Sequence, residues 1–265
     1  MKVLAVHPDV IVVVSRFWQT TCTAVRAGEE GFVIDSPVYP DELEALAGVL
    51  EQAGFPVSGL LATHADWDHL LGRIAFPEAA LGVGETTARR LAAEPGQAQR
   101  ELREFDEEQY VDDRRPLALA GIQSLPVPGR LSLGADDREL ELHPADGHTA
   151  DGTAFMIPWL GVLVCGDYLS PVEIPWISPG GSVEAYLATL ERFRALVDRA
   201  ETIVPGHGRP LNSADAVRLL EEDATYLRAL ATDGAGASLP PGRRTNAQRR
   251  IHAENVERTT TLPPS

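Results

Sequence analysis

The sequence predicts an α+β fold, and three features predict it. β-branched or alternating apolar runs open the chain, strands and helices then follow one another in short units, and each half of the 265 residues has its own β-rich and α-rich part. The last feature loosely suggests a duplicated layer plan. A composition of 44% hydrophobic and 23% charged residues is ordinary for a folded soluble protein and sufficient for one large core or two small ones. No internal period of roughly 20–50 residues marks a repeat array.

Residues 10–14 and 23–34 are β-branched or alternating around the turn Gly28-Glu29-Glu30-Gly31, which predicts a hairpin ending at Asp35. Over residues 40–53, Leu43, Leu46, Ala47 and Leu50 recur at helical spacing and Gly54 closes the helix. Residues 57–62 form a short buried strand that runs into Thr63-His64, so this strand–helix–strand unit ends in a polar loop, where α/β proteins place chemistry. A second helix is expected from near Asp68, and a strand over residues 79–83.

Residues 85–115 carry Arg89, Arg90, Glu101, Arg103, Glu104, Asp106, Glu107 and Glu108, with Leu102, Phe105 and Tyr110 as scattered apolar anchors. They predict a helical excursion, either a solvated surface helix or a cap that shapes substrate choice. Short strands are expected over residues 121–142, a pair of strands over 155–164 around Gly161, a helix over 183–200, a strand over 202–204 and a helix over 214–230. Residues 232–242, rich in Gly, Ala and Pro, read as a linker, and residues 246–258 as a last helix that packs back. The final residues read as frayed. The expected organisation is one domain over residues 1–231, then a linker and a C-terminal helix and tail over 232–265.

With 39 acidic against 23 basic residues the formal net charge is −16, a field that repels phosphate backbones and argues against a nucleic-acid partner. The apolar run between Pro8 and Arg16 is too short to span a bilayer or act as an export signal, so neither a membrane partner nor export is expected, and the cytoplasm is the expected compartment. Cys22 and Cys165 lie in apolar strand-like stretches outside any CxxC pair and read as buried free thiols, with a disulfide between them the alternative that the sequence leaves open.

The segment Thr63-His64-Ala65-Asp66-Trp67-Asp68-His69 gathers four potential metal ligands directly after a buried strand. A divalent transition ion needs three or four N or O donors on a small sphere, and an extended turn with ligands at alternate positions aims His64, Asp66 and Asp68 to one side while His69 follows on the first helical turn. Against this stands the plainer reading of Asp68 as an N-cap and the histidines as surface residues. Three later segments outweigh it: Asp146-Gly147-His148-Thr149, Cys165-Gly166-Asp167 and Pro205-Gly206-His207-Gly208 each present a ligand in a glycine loop or at a strand end.

In that order these residues resemble the metallo-β-lactamase superfamily, whose signature runs from a strand-end Asp through HxHxDH to a His, an Asp and a final His. The resemblance implies a four-layer αββα sandwich, two packed mixed β-sheets flanked by helices, over roughly residues 10–225. It implies that Asp35 supports the ligands from behind, that His64, Asp66 and His148 hold one metal, that Asp68, His69 and His207 hold a second, and that Asp167 bridges. Asp66 departs from the family, which carries histidine there; flavodiiron proteins also place a carboxylate at this position. Two divalent ions bring four positive charges and Asp66, Asp68 and Asp167 return three, leaving one rather than two. Zinc is the first expectation, with manganese or iron the alternatives that a harder oxygen donor favours.

The resemblance implies a hydrolase that cleaves a small ester, thioester or lactone through a metal-bound hydroxide, with Asp68 as the catalytic carboxylate. Iron redox chemistry, of the sulfur dioxygenase or flavodiiron kind, and a non-catalytic metal-binding protein of the same fold are the rival expectations. Tyr168, next to Asp167, either points a phenol at substrate or packs. His7, His143 and His252 match no motif and read as surface or structural residues. The absence of GxSxG, a P-loop and GxGxxG removes serine hydrolase, NTPase and dinucleotide readings.

Overall fold

In the computed structural model, which describes residues 1–133 and 138–261, the β-branched run at the start of the chain builds one edge of a large sheet. Strands β1 (Lys2–His7), β2 (Val10–Val14), β3 (Thr21–Ala27) and β4 (Glu30–Asp35) form an antiparallel meander, with Val12 opposite Thr23 and Thr23 opposite Ile34. Helix α1 (Pro40–Gln52) then crosses back, and β5 (Gly59–Ala62), β6 (Ala80–Gly84) and β7 (Gln123–Leu125) continue the sheet in parallel, giving seven strands in chain order. A second sheet of five strands has the order β12-β11-β10-β9-β8. It contains β8 (Gly129–Leu133), β9 (Arg138–Pro144), β10 (Thr153–Ile157), β11 (Val162–Val164) and β12 (Thr202–Val204), the last pair parallel because helix α5 (Val183–Val197) connects them.

The alternation of side chains along a strand explains the layers. Val10, Val12, Val14, Val25, Phe32 and Ile34 pack on Leu140, Leu142, Phe155, Ile157, Val162 and Val164 between the two sheets. Ile11, Val13, Ala24 and Val33 point the other way, onto Leu43, Leu46 and Leu50 of α1. Ala154, Met156, Leu163 and Ile203 leave the second sheet on its far side to meet Tyr186, Leu190 and Phe193 of α5 and Leu219, Leu220 and Leu227 of α6 (Ser213–Asp233). Three cores thus separate four layers, αββα, as the resemblance implies. Strands buried on both faces read as continuous apolar runs, which is why residues 10–14 are VIVVV. Both cysteines are free and buried.

Several elements depart from expectation. Strand β1 carries no predicted signal because its first four residues are exposed at the sheet edge. The helix expected from Asp68 is only a 3₁₀ turn, Trp67–His69, followed by the single turn α2 (Gly72–Ala75). The charged excursion is two helices, α3 (Glu85–Ala93) and α4 (Gln97–Gln109); Leu102 and Phe105 are buried, but Tyr110, expected as an anchor, is 91% exposed because it adopts a left-handed conformation at the end of α4. Residues 232–242 are not a free linker: α6 runs through Asp233, Ala237 is buried, and Arg243 just beyond is 1% exposed. Helix α7 (Asn246–Thr261) follows, with Gln248 and Asn255 buried against the body. The fraying expected of the final residues lies outside the described residues. Among the described residues no helix is long and apolar enough to cross a membrane.

Candidate metal centre

The ligand-bearing loops leave the C-terminal ends of β5, β9, β11 and β12 along one edge where the two sheets meet. Backbone bonds hold the two sheets together there: Thr153 N donates to Thr63 O at 2.8 Å and Thr21 N to Gly206 O at 2.7 Å. Gly206 is required at this crossing, since a Cβ on it would fall 2.0 Å from Asp167 Oδ1. Gly147, at φ 127°, lets the chain turn into His148 against α5, where a Cβ would fall 2.2 Å from Tyr186 N.

Four imidazoles converge with one orientation. Nδ1 of His69 lies 3.0 Å from Asp35 Oδ2, Nδ1 of His148 lies 2.9 Å from Trp176 O, Nδ1 of His207 lies 3.2 Å from Trp18 O, and Nδ1 of His64 lies 3.0 Å from Thr63 Oγ1. With carbonyl and carboxylate acceptors the Nδ1–H donates, which leaves Nε2 as the free lone pair. Nε2 of His64, His69 and His148 is buried without a hydrogen-bond partner, and so is Asp167 Oδ1. Orphaned buried polar atoms are costly, and several aimed at one place mark a site built for another occupant.

The spacings fit divalent cations. Ligands about 2.0–2.1 Å from a tetrahedral ion lie about 3.3 Å from one another. His148 Nε2 is 3.3 Å from Asp167 Oδ2, and His64 Nε2 is 3.8 Å from the same oxygen. Asp66 Oδ2 joins them at 3.6 Å from His64 Nε2 and 3.5 Å from His148 Nε2. Beside this group, Asp68 Oδ2 is 3.6 Å from His69 Nε2 and 3.7 Å from His207 Nε2, while Asp167 Oδ1 is 3.1 Å from His69 Nε2. His64, His148 and Asp167 close one potential three-donor set within 4.8 Å, and Asp68, His69 and His207 close another. Asp167 faces both.

Electrostatics point the same way. Burial works to raise the Asp167 carboxyl, but His207, His69 and His64 hold it well below the usual carboxylate range. Burial opposes charge on His207 too, yet Asp167 and Glu173 lift it to about 10. Asp167 and the imidazoles around it thus favour each other's charged forms, and metal binding would release any protons those imidazoles carry.

The supports are buried or half-buried. Asp35, which the resemblance casts as a support, accepts from Thr63 N at 2.8 Å and Thr63 Oγ1 at 2.9 Å, and it does so from a left-handed backbone, φ 59°. Trp67 packs on Phe105 of α4, with ring centroids 4.6 Å apart. Arg90 of α3 places Nη1 2.8 Å from Asp66 Oδ1 and 2.8 Å from Asp151 Oδ1, and Asp151 Oδ2 accepts from Ala65 N at 2.9 Å. The excursion therefore braces the ligand loop.

Of the two readings of Tyr168, the geometry matches the packed one. Its phenol shares its one proton between the carbonyls of Asp146 (2.8 Å) and Ala145 (3.1 Å) and accepts from His148 N (3.0 Å), so it holds the His148 loop. Gly166 at φ 62° turns the chain so that the neighbours Asp167 and Tyr168 point apart.

A cavity of about 390 Å³ opens over the cluster, lined by Trp18, Asp66, Asp68, His148, Asp167 and His207 on its floor side and by residues of the 170–176 loop and α7 above. Ile174, Pro175, Trp176 and Ile251 make these walls largely apolar. The C-terminal segment holds that loop in place. Arg243 Nη1 donates to Glu173 O at 2.8 Å and pairs with Asp223 at 2.6 Å; Gln248 Oε1 accepts from Ile174 N and Asn255 Oδ1 from Ile177 N, both at 2.7 Å. Every predicted ligand thus lies at the cluster. Sequence reasoning missed Arg90, Asp151, Trp18 and the α7 wall, and the available hints were an arginine inside a charged run and a last helix expected to pack back.

A sequence profile of the Metallo-beta-lactamase superfamily matches residues 15–207. No curated protein matches the sequence. Among solved structures, a metallo-beta-lactamase family protein, TTHA1429 from Thermus thermophilus, is 18% identical with TM-score 0.70, over 98% of this chain and 96% of that one. The stereoselective inverting sec-alkylsulfatase Pisa1 from Pseudomonas sp. is 13% identical with TM-score 0.70 over 97% of this chain, which spans only 49% of the sulfatase. The protein TTHA1623 in a di-iron-bound form is 22% identical with TM-score 0.60, over 78% of this chain and 97% of that one. These likenesses are to the fold. With the profile covering most of the chain, the protein belongs to the metallo-beta-lactamase superfamily.

Proposed function

We propose that this chain is a dinuclear metal-dependent hydrolase of a small ester, thioester or lactone. The observation that carries the reading is the set of orphaned atoms, Nε2 of His64, His69 and His148 and Oδ1 of Asp167, beside an apolar-walled cavity of about 390 Å³ that His148 and Asp167 line. His64, Asp66 and His148 would hold one cation, Asp68, His69 and His207 the other, with Asp167 between them. Bound divalent cations, zinc first among them, would supply Lewis-acid polarisation of the carbonyl and a nucleophile at neutral pH without a serine or cysteine.

The chain's own groups do the rest. Asp68, whose Oδ2 lies 3.5 Å from Thr20 Oγ1, would orient the attacking water and carry its proton to the leaving group. Trp18, Trp176 and Ile251 exclude bulk water and cover the apolar part of the substrate. The test is turnover on a panel of esters, thioesters and lactones, with β-lactams and alkyl sulfates included because such enzymes share the fold. His148→Ala should abolish activity; full turnover in that variant refutes the reading.

A second reading, iron redox chemistry, draws on Asp66 Oδ2 lying among the imidazole nitrogens and on the likeness to a di-iron-bound protein. An oxygen donor there favours iron or manganese more than histidine would. Coloured protein with stoichiometric iron and oxygen uptake would replace the hydrolase reading; colourless zinc or manganese protein would remove the alternative.

A further inference from the structure

We propose that Arg90 is the positioning residue that makes Asp66 a usable metal donor, a partner required because this chain carries a carboxylate where its family carries histidine. The inference rests on the metal-centre reading above.

A histidine at this position would offer one lone pair and spend its other nitrogen on orientation, as the four imidazoles here do. A carboxylate has two equivalent oxygens, can grip an ion with one or both, and adds a negative charge. Arg90 resolves both differences. Its Nη1 lies 2.8 Å from Asp66 Oδ1, so that oxygen is occupied and only Oδ2 is left facing His64 Nε2 and His148 Nε2, at 3.6 and 3.5 Å. The guanidinium also returns the positive charge that the carboxylate removes.

Arg90 is itself fixed. The same Nη1 is 2.8 Å from Asp151 Oδ1, Asp151 Oδ2 accepts from Ala65 N at 2.9 Å, and Nε lies 3.4 Å from Glu94 Oε2 one turn along α3. The backbone of the ligand loop, its side chain at 66 and helix α3 are thereby joined through one half-buried guanidinium, whose Nη1 meets both carboxylates. A guanidinium suits this geometry because its planar donors are fixed relative to one another, whereas an ammonium would hold the charge without the orientation.

A plain salt bridge that only stabilises the loop would use the same contacts, so the experiment separates the two roles. Arg90→Met and Arg90→Lys are made in the natural chain and in an Asp66→His background. Zinc and manganese stoichiometry are measured by elemental analysis, affinities by chelator competition, the absorption spectrum after cobalt substitution, and thermal unfolding of the metal-free proteins. Positioning predicts that Arg90→Met weakens one of the two ions by about 10–100-fold, the usual cost of losing a ligand's hydrogen-bond partner. The other ion is retained, the cobalt spectrum changes, and Arg90→Lys recovers part of the affinity. In the Asp66→His background, Arg90→Met should change affinity less than about threefold, because histidine needs no arginine.

Equal losses in both backgrounds, or an affinity unchanged by Arg90→Met in the natural chain, would overturn the proposal. If Asp66→His does not fold, the natural-chain series decides: a loss that Arg90→Lys does not ease at all, or one that follows metal-free stability alone, also overturns it. An unmutated protein that binds no cation pair overturns the metal-centre reading itself, and the inference with it.

Discussion

Asn255→Ala would cut the anchorage of the cavity wall at its most buried point. The side chain is fully buried; its Oδ1 accepts from Ile177 N at 2.7 Å, and its Nδ2 donates to Pro175 O at 2.7 Å and Tyr226 Oη at 3.0 Å. Truncation strands a backbone donor and a backbone acceptor, each costing about 1–3 kcal/mol where water cannot enter. A loss of about 4 kcal/mol follows, roughly 10 °C in melting temperature for a protein of this size. Between these two residues sits Trp176, whose carbonyl lies 2.9 Å from His148 Nδ1. Releasing the loop should therefore also loosen that imidazole and weaken metal binding about tenfold. Differential scanning fluorimetry of the metal-free protein and chelator competition measure the two effects separately. A variant that melts early but binds metal within twofold of the parent would show that α7 stabilises the fold without orienting His148; a variant unchanged in both would refute the account of the wall.

Glu42→Gln should flatten the acid limb of the stability profile: although burial opposes its charge, hydrogen bonds from Ser15 Oγ (2.6 Å) and Arg16 N (2.9 Å) hold the Glu42 carboxyl below its ordinary value. Its contribution is thus complete above the unfolded pKa of about 4.3 and lost as pH falls through the lower folded value, which melting temperature against pH will show for the parent and not for the variant. Chelation should lower the melting temperature, and returning zinc at a hundredfold over its dissociation constant should restore about 2.7 kcal/mol per site; a melting temperature indifferent to metal would count against the centre. Tyr168→Phe should cost stability by about 1–2 kcal/mol while changing turnover only modestly, since its phenol serves three backbone groups; a hundredfold fall in kcat at unchanged stability would instead make it an oxyanion donor.

The candidate positions were legible because each is a His or Asp released from the end of an apolar strand, Ala62 into His64, Val164 into Asp167 and Val204 into His207, the later two with glycine beside them. The layers were legible where both faces of a strand are buried, as in residues 10–14, and not in β1, whose outer face meets solvent. Contacts between distant positions leave no local pattern. Ala65 and Asp151 meet across 86 positions and Ile177 and Asn255 across 78, so neither the brace on the ligand loop nor the role of α7 has a sequence signature. Side-chain direction was hidden for a different reason: left-handed residues at Gly166 and Leu169 flank Asp167 and Tyr168, and they decide that the carboxylate faces the cluster while the phenol faces away.

The proposed centre, two donor sets with Asp167 between them, calls for two ions, and counting them is the direct test. Elemental analysis of the purified chain, before and after exhaustive chelation and reconstitution, should give two divalent ions per polypeptide, falling to one or fewer in His148→Ala and in His69→Ala, with turnover following the count. A protein that keeps its full hydrolytic rate with no metal present, or that holds no metal under any reconstitution, would contradict the account.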